Sequence, residues 1–395
     1  MISSILNIAW ILLQLLVGYN LVLPMLLYFV YVFTKRKLSN VPATIEADYA
    51  FIVTAYEQTD SLASVVKSIL NVKYTNYLIY IVADKCDVSN LKFEDKRVIV
   101  LRPEETLASN TRSHFYAIQR FQRNHDRLTI IDSDNLIHPQ YLNELNVYFN
   151  QGYKAVQGLR AAKNLNTTYA CLDAARDIYY HFFDGKVLFN IGSSATLSGS
   201  GMAFTTKLYK DCLENKDVSG AGFDKVLQYA ILEKDNRIAF AENAIVYDEK
   251  TTMPDQLVKQ RSRWINTWFK YFTLGFGLIG KSLTKGSFNQ LIFGLTLLRP
   301  PLFIFLILSV FCMVANLWIS ISAAIFWFIG FVIFILGFTI ALRSTETDPR
   351  IYKSLVNIPK FVFLQLLSLA KSRKANTYSV ATQHYQVDKE VKDLE

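Results

Sequence analysis

Asp132 and Asp134 stand one residue apart in LTIIDSDNLIHPQYL (residues 128–142), directly after an apolar run. Leu128, Ile130 and Ile131 read as the tail of a buried strand, and Pro139 can open a helix. Two carboxylates at a strand end repel one another unless a cation neutralises them. Mg²⁺ takes one or two carboxylates together with substrate phosphates and retained water. The pair could therefore grip a divalent metal against a diphosphate, with the metal acting as a Lewis acid on the charge that grows as the group departs. Asn135, a turn former, leaves a solvated acidic turn open as the other reading.

Three other stretches carry residue types suited to chemistry. Asp224 precedes KVLQYAILEK, where Asp is a favoured helix N-cap but could equally serve an acceptor hydroxyl as general base. Gln260, Arg263 and Trp264 lie three and four apart in the helical-looking MPDQLVKQRSRWINTWF and so share a face. Arg263 can donate a fork of hydrogen bonds to diphosphate oxygens, and Trp264 offers a flat face to a sugar ring. Lys259 and Arg261 on the same run suit a basic amphipathic helix lying on a membrane. In LSGSGMAF (197–204), Gly199 and Gly201 flank Ser200 and leave room for close approach of a ligand, although an isolated G-S-G marks only a loop.

The elements that must position these residues alternate. Strands are predicted at Tyr49–Thr54, Tyr77–Ala83, Val98–Leu101 and Arg127–Ile131, with helices at Ser61–Leu70 and residues 107–123. Such alternation predicts an α/β fold with a mostly parallel sheet and helices on both faces. Ligands of such sheets sit outside the carboxyl ends of the strands. Thr54-Ala55-Tyr56-Glu57, Asp84-Lys85-Cys86-Asp87 and Asp132-Ser133-Asp134 all fall at such ends. None of these strand ends carries G-x-G-x-x-G or G-x-x-x-x-G-K-[ST], so a dinucleotide or P-loop cradle is missing there.

Taken in order, VADKC (82–86), IIDSDN (130–135), LSGSGMAF (197–204), GAGFDKVLQYAILEKDNRIAFAENAIVYDEK (220–250) and KQRSRW (259–264) resemble the motifs of membrane-bound family 2 glycosyltransferases. These include the cellulose synthase, hyaluronan synthase and ceramide glucosyltransferase relatives. The likeness spans roughly residues 48–270. It implies a GT-A fold and Mg²⁺ or Mn²⁺ as cofactor, with a nucleotide-sugar donor, UDP-linked by the family resemblance. By position, Asp84 would hold the uracil or ribose side of the donor with Tyr56 beside the base. Asp132 and Asp134 would hold the metal on the diphosphate, and Asp224 would be the catalytic base. Arg263 would meet the diphosphate, while Gly199, Ser200, Gln260 and Trp264 would meet the acceptor. The chain departs from the family in three places. Thr54-Ala55-Tyr56-Glu57-Gln58 replaces Pro then Tyr-Asn-Glu, Phe223 stands where an acidic neighbour precedes the base, and LASNTRSHFYAI replaces the usual helix start. Arg112 is read as the cation supplied near the diphosphate by that last stretch.

Composition adds the membrane. The chain of 395 residues is 51% hydrophobic and only 19% charged, too apolar for an ordinary soluble enzyme. Met1–Thr34 and Pro300–Leu342 contain no Asp, Glu, Lys, Arg or His. The second stretch would run about 64 Å as helix, two crossings of a hydrocarbon layer, with Asn316–Ser322 as the turn. Three spans are predicted. The first is not read as a cleaved signal peptide, for it lacks a basic start and a small-residue cleavage site.

Lys35–Lys37 follow the first span, Lys281, Lys285 and Arg299 precede the second, and Arg343 follows the third. The positive-inside rule then puts the N-terminus outside and both the catalytic region and C-terminus in the cytoplasm, at the plasma (inner) membrane. The net charge of +9 suits an anionic lipid surface, and no basic stripe or motif points to nucleic acid. Cys86, Cys171, Cys212 and Cys312 show no C-x-x-C pairing and read as isolated thiols.

The expected organisation is an N-terminal span (1–34), a catalytic domain (35–270), an interfacial helical segment (271–299), two spans (300–342) and a cytoplasmic tail (343–395). RIYKSLVNIPKFVFLQLLSLAKSRK (350–374) reads as interfacial helices broken at Pro359, TYSVATQHY (377–385) as a weak match to a segment that closes over donor in relatives, and EVKDLE as a frayed end. The expected activity is inverting transfer of a hexosyl or N-acetylhexosaminyl group to a glycan or lipid-linked acceptor. A small processive polysaccharide synthase is the alternative, and a silent membrane scaffold is the alternative of another class.

Overall fold

The computed structural model describes residues 2–34, 46–89, 91–218 and 220–376, with the side chains of residues 2–4 left aside. Lys35–Lys37, TYSVATQHY and EVKDLE lie outside the described residues. Eight strands form one sheet in the order β3-β2-β1-β4-β7-β6-β8-β5. They are β1 (Tyr49–Tyr56), β2 (Tyr77–Asp84), β3 (Val98–Leu101), β4 (Arg127–Asp132), β5 (Leu136–Ile137), β6 (Ala155–Ala162), β7 (Met202–Thr205) and β8 (Ile238–Asp248). The first four predicted strands are present, with β1, β2 and β4 extended to the polar residues that follow them. β3, β2, β1 and β4 run parallel, β7 is antiparallel to β4 and to β6, and β6 and β8 are parallel again. Every residue of β2 is buried, as befits a strand covered by helices on both faces. Register places Tyr56 beside Asp84 and Thr54 beside Asp132, so three polar strand ends share one edge of the sheet.

Two helices differ from expectation. The one predicted from 107 begins at Asn110, behind an N-cap Ser109. The other is Phe223–Glu233, capped by Gly222 in the left-handed region, so Asp224 lies inside the first turn and is not the cap residue. Both glycine spacings do occur in GFGLIGKS, G-x-G-x-x-G at Gly275–Gly280 and G-x-x-x-x-G-K-S at Gly275–Ser282, but within the helix Leu274–Lys285 and not in a loop after a strand, so neither forms a phosphate cradle. A Cβ on Gly275 would lie 2.7 Å from the carbonyl of Gly294 in the neighbouring helix Phe288–Leu298.

Three helices are long and apolar enough to cross a membrane: Ile5–Thr34, Leu302–Ile319 and Ile321–Arg343, with the turn at Ser320. Val17, Leu21, Phe305, Cys312 and Trp327 pack them together. Gln14 accepts hydrogen bonds from Asn316 Nδ2 (2.6 Å) and Trp327 Nε1 (2.9 Å), so one amide links all three. The catalytic region docks on them through a π-helical turn, His181–Val187, whose Phe182, Phe183 and Val187 join Met25, Leu27, Tyr31 and Ala341 in one apolar cluster. All four cysteines are free and buried.

Candidate active site

The carboxyl ends of β1, β2 and β4 open onto a cavity of about 890 Å³. Tyr56, Asp84, Asp132, Asp134, Gly199, Asp224, Gln260, Arg263 and Trp264 all line it. These nine residues, spread from 56 to 264, therefore converge on one void, though they come from strand ends, loops and two helices.

Asp84 is buried at the end of β2, and its carboxylate accepts the backbone N–H groups of Leu107 (2.9 Å) and Ala108 (2.7 Å). Ala108 adopts φ +45°, which breaks the helix there and explains its late start. The carboxylate orders this loop and still keeps acceptor capacity on both oxygens. Tyr56 stands beside it, with its phenol pKa raised by partial burial and then by Glu57. Glu57 itself turns to the Lys85 ammonium at 2.7 Å on the exposed rim.

Asp132 is half-buried, and its N–H donates to the hydroxyl of Ser200 at 3.0 Å. Ser200 is wholly buried and does not line the cavity, so the expected acceptor contact is corrected: its hydroxyl holds the end of β4. Gly199 faces the void together with Thr196, Leu197 and Ser198. It has φ +91°, and a Cβ there would meet nothing within 4 Å. Asp134 is buried, and Asn135 Nδ2 donates to Asp134 Oδ1 (3.1 Å) and to Asp248 Oδ1 (3.3 Å). Asn135 Oδ1 is buried with no hydrogen-bond donor. No cluster of three His, Cys, Asp or Glu side chains forms a closed cage among the described residues. Two carboxylates lining an open cavity fit a hard divalent cation that draws its other ligands from phosphate and water.

Beneath these aspartates lies a charged floor that motif reading missed. Lys250 is buried and donates to Asp177 Oδ2 (2.6 Å) and Asp248 Oδ2 (2.7 Å). Arg160 pairs with Asp248 at 2.7 Å and donates to the carbonyl of Ser198. Burial opposes the charge on Arg160, but the carboxylates of Asp248, Asp132 and Asp177 outweigh it and raise its pKa. Asp177 is likewise penalised by burial, yet Arg176 and Lys250 hold its carboxyl well below the usual range. This ionic lattice fixes a rigid, polar surface under the strand ends.

Asp224 is largely shielded, with Lys225 Nζ 3.5 Å from its Oδ2. Gly222 (φ +105°) brings its helix against the helix Pro254–Tyr271, since a Cβ would meet Tyr271 at 2.6 Å and Thr267 at 2.7 Å. Phe223 is buried edge-on against His114, whose burial drives its pKa down to about 3 and keeps it neutral. The position that carries an acid in the resembling family is thus an apolar core site in this chain.

On the helix Pro254–Tyr271, Gln260 accepts a hydrogen bond from Thr251 (3.1 Å), and burial lowers the pKa of Arg263. Trp264 carries the guanidinium of Arg261 at 4.0 Å and that of Arg176 at 4.5 Å from its ring centroid. Arg261 is buried and paired with Asp173, which corrects its expected place on the membrane surface. Arg112 does not line the cavity. It pairs with Asp217 at 2.5 Å on the exposed surface, so the expected diphosphate contact is corrected there too. Arg160 and Arg176, lining the cavity, were not legible because neither sits in a recognisable motif.

With the strand-end carboxylates, the open cavity and the mixed sheet in place, the molecule has the architecture of a nucleotide-sugar transferase of the GT-A kind. Residues 47–267 match the family described as "Glycosyltransferase like family 2", and the chain belongs to that family. Among solved structures it is similar to the mannosyltransferase PcManGT from Pyrobaculum calidifontis in complex with GDP-Man and Mn²⁺. That likeness has a TM-score of 0.57 at 12% identity, covering 93% of this chain and 98% of the other. It is also similar to S. aureus TarS 1–349 in complex with UDP-GlcNAc, at TM-score 0.43 and 13% identity, over 83% of this chain and 90% of the other. A comparison with curated proteins gave no match.

Proposed function

We propose that this chain is an inverting, metal-dependent glycosyltransferase that moves a sugar from a nucleotide-diphospho-sugar to an acceptor at the cytoplasmic membrane face. The convergence of Asp84, Asp132, Asp134, Asp224 and Arg263 on one cavity is the observation that carries this reading. Residues 35–270 form the catalytic unit, and the three spans anchor it.

In this reading Tyr56 and Asp84 take the nucleoside, and uracil, as in a UDP-sugar, is the favoured base through the family resemblance. Asp132 and Asp134 hold Mg²⁺ or Mn²⁺, which when bound neutralises the diphosphate and stabilises its departure as a Lewis acid. Asp224 takes the proton of the acceptor hydroxyl. The acceptor oxygen then bonds the anomeric carbon from the face opposite the diphosphate, the carbon–oxygen bond to the diphosphate breaks, and configuration inverts. Arg263 meets the negative charge left on the nucleotide, and Gly199 leaves room for the sugar. Gln260 and Trp264 flank the acceptor, with Trp264 held flat by the two guanidinium groups on it. Positioning and charge stabilisation supply most of the rate, and the base adds about 10²–10⁴-fold.

Membranes bearing the protein, given a panel of nucleotide-sugars with Mg²⁺ or Mn²⁺, should release free nucleotide from one of them, and EDTA should stop it. Asp224→Asn should lower transfer by about 10²–10⁴-fold while nucleotide-sugar binding stays near its original strength. Retained turnover in that variant, or indifference to EDTA, removes the assignment.

A further inference from the structure

The cavity does not end at the charged floor. It continues past Arg299 and Pro300 to Leu302 and Leu306 of the second span, Phe334, Ile335 and Phe338 of the third, and Phe361 of the helix Ile358–Lys371. From Pro300 onward, no lining residue carries a charge. At the junction Arg299 is neutralised by Asp184 at 2.9 Å, both buried, so the cavity passes from ionic to apolar across a compensated pair. Ile335 lines the cavity and is also 59% exposed on the membrane-spanning surface, which makes the apolar end open sideways, toward lipid.

Of the lining residues on these two spans only Thr339 is polar, and its hydroxyl already donates to the carbonyl of Ile335 (2.8 Å), so a glycan lying there would lose water and find few partners. A hydrocarbon chain fits it. We propose that the acceptor is a membrane lipid with a hydroxylated head, whose chain enters laterally at Ile335. The chain lies along Leu302, Leu306, Phe334 and Phe338, and the head reaches Asp224. This rests on the transferase reading given above and narrows its acceptor class.

The test uses the full-length protein in phosphatidylcholine vesicles containing diacylglycerol with a diazirine in one acyl chain. After irradiation, adducts are mapped by mass spectrometry. Adducts should concentrate on the cavity side of residues 334–338, about tenfold above outer-face positions such as Phe311 and Phe326. Ile335→Trp and Leu306→Trp should each reduce those groove adducts about tenfold, whereas Ile329→Trp, on the same span but outside the cavity, should leave them in place. Labelling spread evenly over the outer faces of the spans, as for annular lipid, overturns the proposal. The measurement needs no donor. Groove labelling in a protein that consumes no nucleotide-sugar keeps the lipid site and removes the transferase reading, while donor consumption with annular labelling alone does the reverse.

Discussion

Ser200 lies between two glycines, a setting that invites a ligand, yet its hydroxyl is turned inward to the amide of Asp132. What such a residue does depends on which way the loop faces, and that is decided by Gly201. A Cβ on Gly201 would come within 2.9 Å of Val246, so this side of the loop is pressed onto β8 and Gly199 is left facing the cavity. Removing the hydroxyl in Ser200→Ala leaves a buried N–H without an acceptor, which costs about 1–3 kcal/mol. The expected outcome is a lower melting temperature together with weaker Mn²⁺ activation, because the strand end that carries Asp132 loosens. A change confined to acceptor KM would instead restore Ser200 to the acceptor site. His114 supports a second prediction at this scale. Burial depresses its pKa from 6.5 to about 3, so the unfolded chain binds the extra proton first as pH falls. Stability from this group is full above pH 6.5 and is lost progressively as pH drops toward 3. His181, on the cavity wall, is depressed by burial to about 4 and acts in the same direction. Melting temperature measured from pH 7 to 4.5 should therefore fall, and His114→Gln should make the fall shallower.

Elements differ in how much of themselves they declare in sequence. β1, β2 and β4 are mostly apolar runs with polar residues at or just after their carboxyl ends, so both their existence and the polar ends that face the cavity were legible. β6 was not assigned, because Gln157 and Arg160 interrupt AVQGLRAA with polar side chains that find their partners far away. The charged floor is hidden for the same reason: Arg261 and Asp173 are 88 residues apart, and nothing local to either requires the other. The helix that carries Gln260, Arg263 and Trp264 was legible, but the joint that sets its distance from Asp224, the proposed base, was not. That joint is Gly222. Gly222→Ala would force a methyl into Tyr271 and Thr267 from a backbone with φ +105°, so the two helices must separate. Destabilisation of about 1–3 kcal/mol is expected. Transfer should suffer more than donor binding, because Asp224 shifts relative to Arg263 while Asp84 and Asp132 stay on the sheet. Equal loss of both, measured as kcat and donor affinity, would mean that the joint does not set this distance.

At the scale of the whole molecule, three of the cations that suggested orientation pair with acids of the α/β region. Lys281 pairs with Glu233, Lys285 with Asp235 at 2.6 Å, and Arg299 with Asp184 at 2.9 Å. The first two are partly exposed and contribute little individually. Arg299–Asp184 is different: both side chains are buried, and the pair joins the π-helical turn to the residue just before the second span. Removing one partner of such a pair strands a charge, at a cost of about 3–5 kcal/mol, whereas replacing both with apolar side chains is often neutral. Arg299→Met should therefore lower the melting temperature sharply in detergent, and Arg299→Met with Asp184→Leu should recover most of the loss. A single variant as stable as the original protein would show that the catalytic region is held to the membrane by the apolar cluster of Phe182, Phe183 and Met25 alone. If the double variant is stable but its acceptor use changes, the pair serves less as a rivet than as the polar lip over which a lipid head passes to reach Asp224.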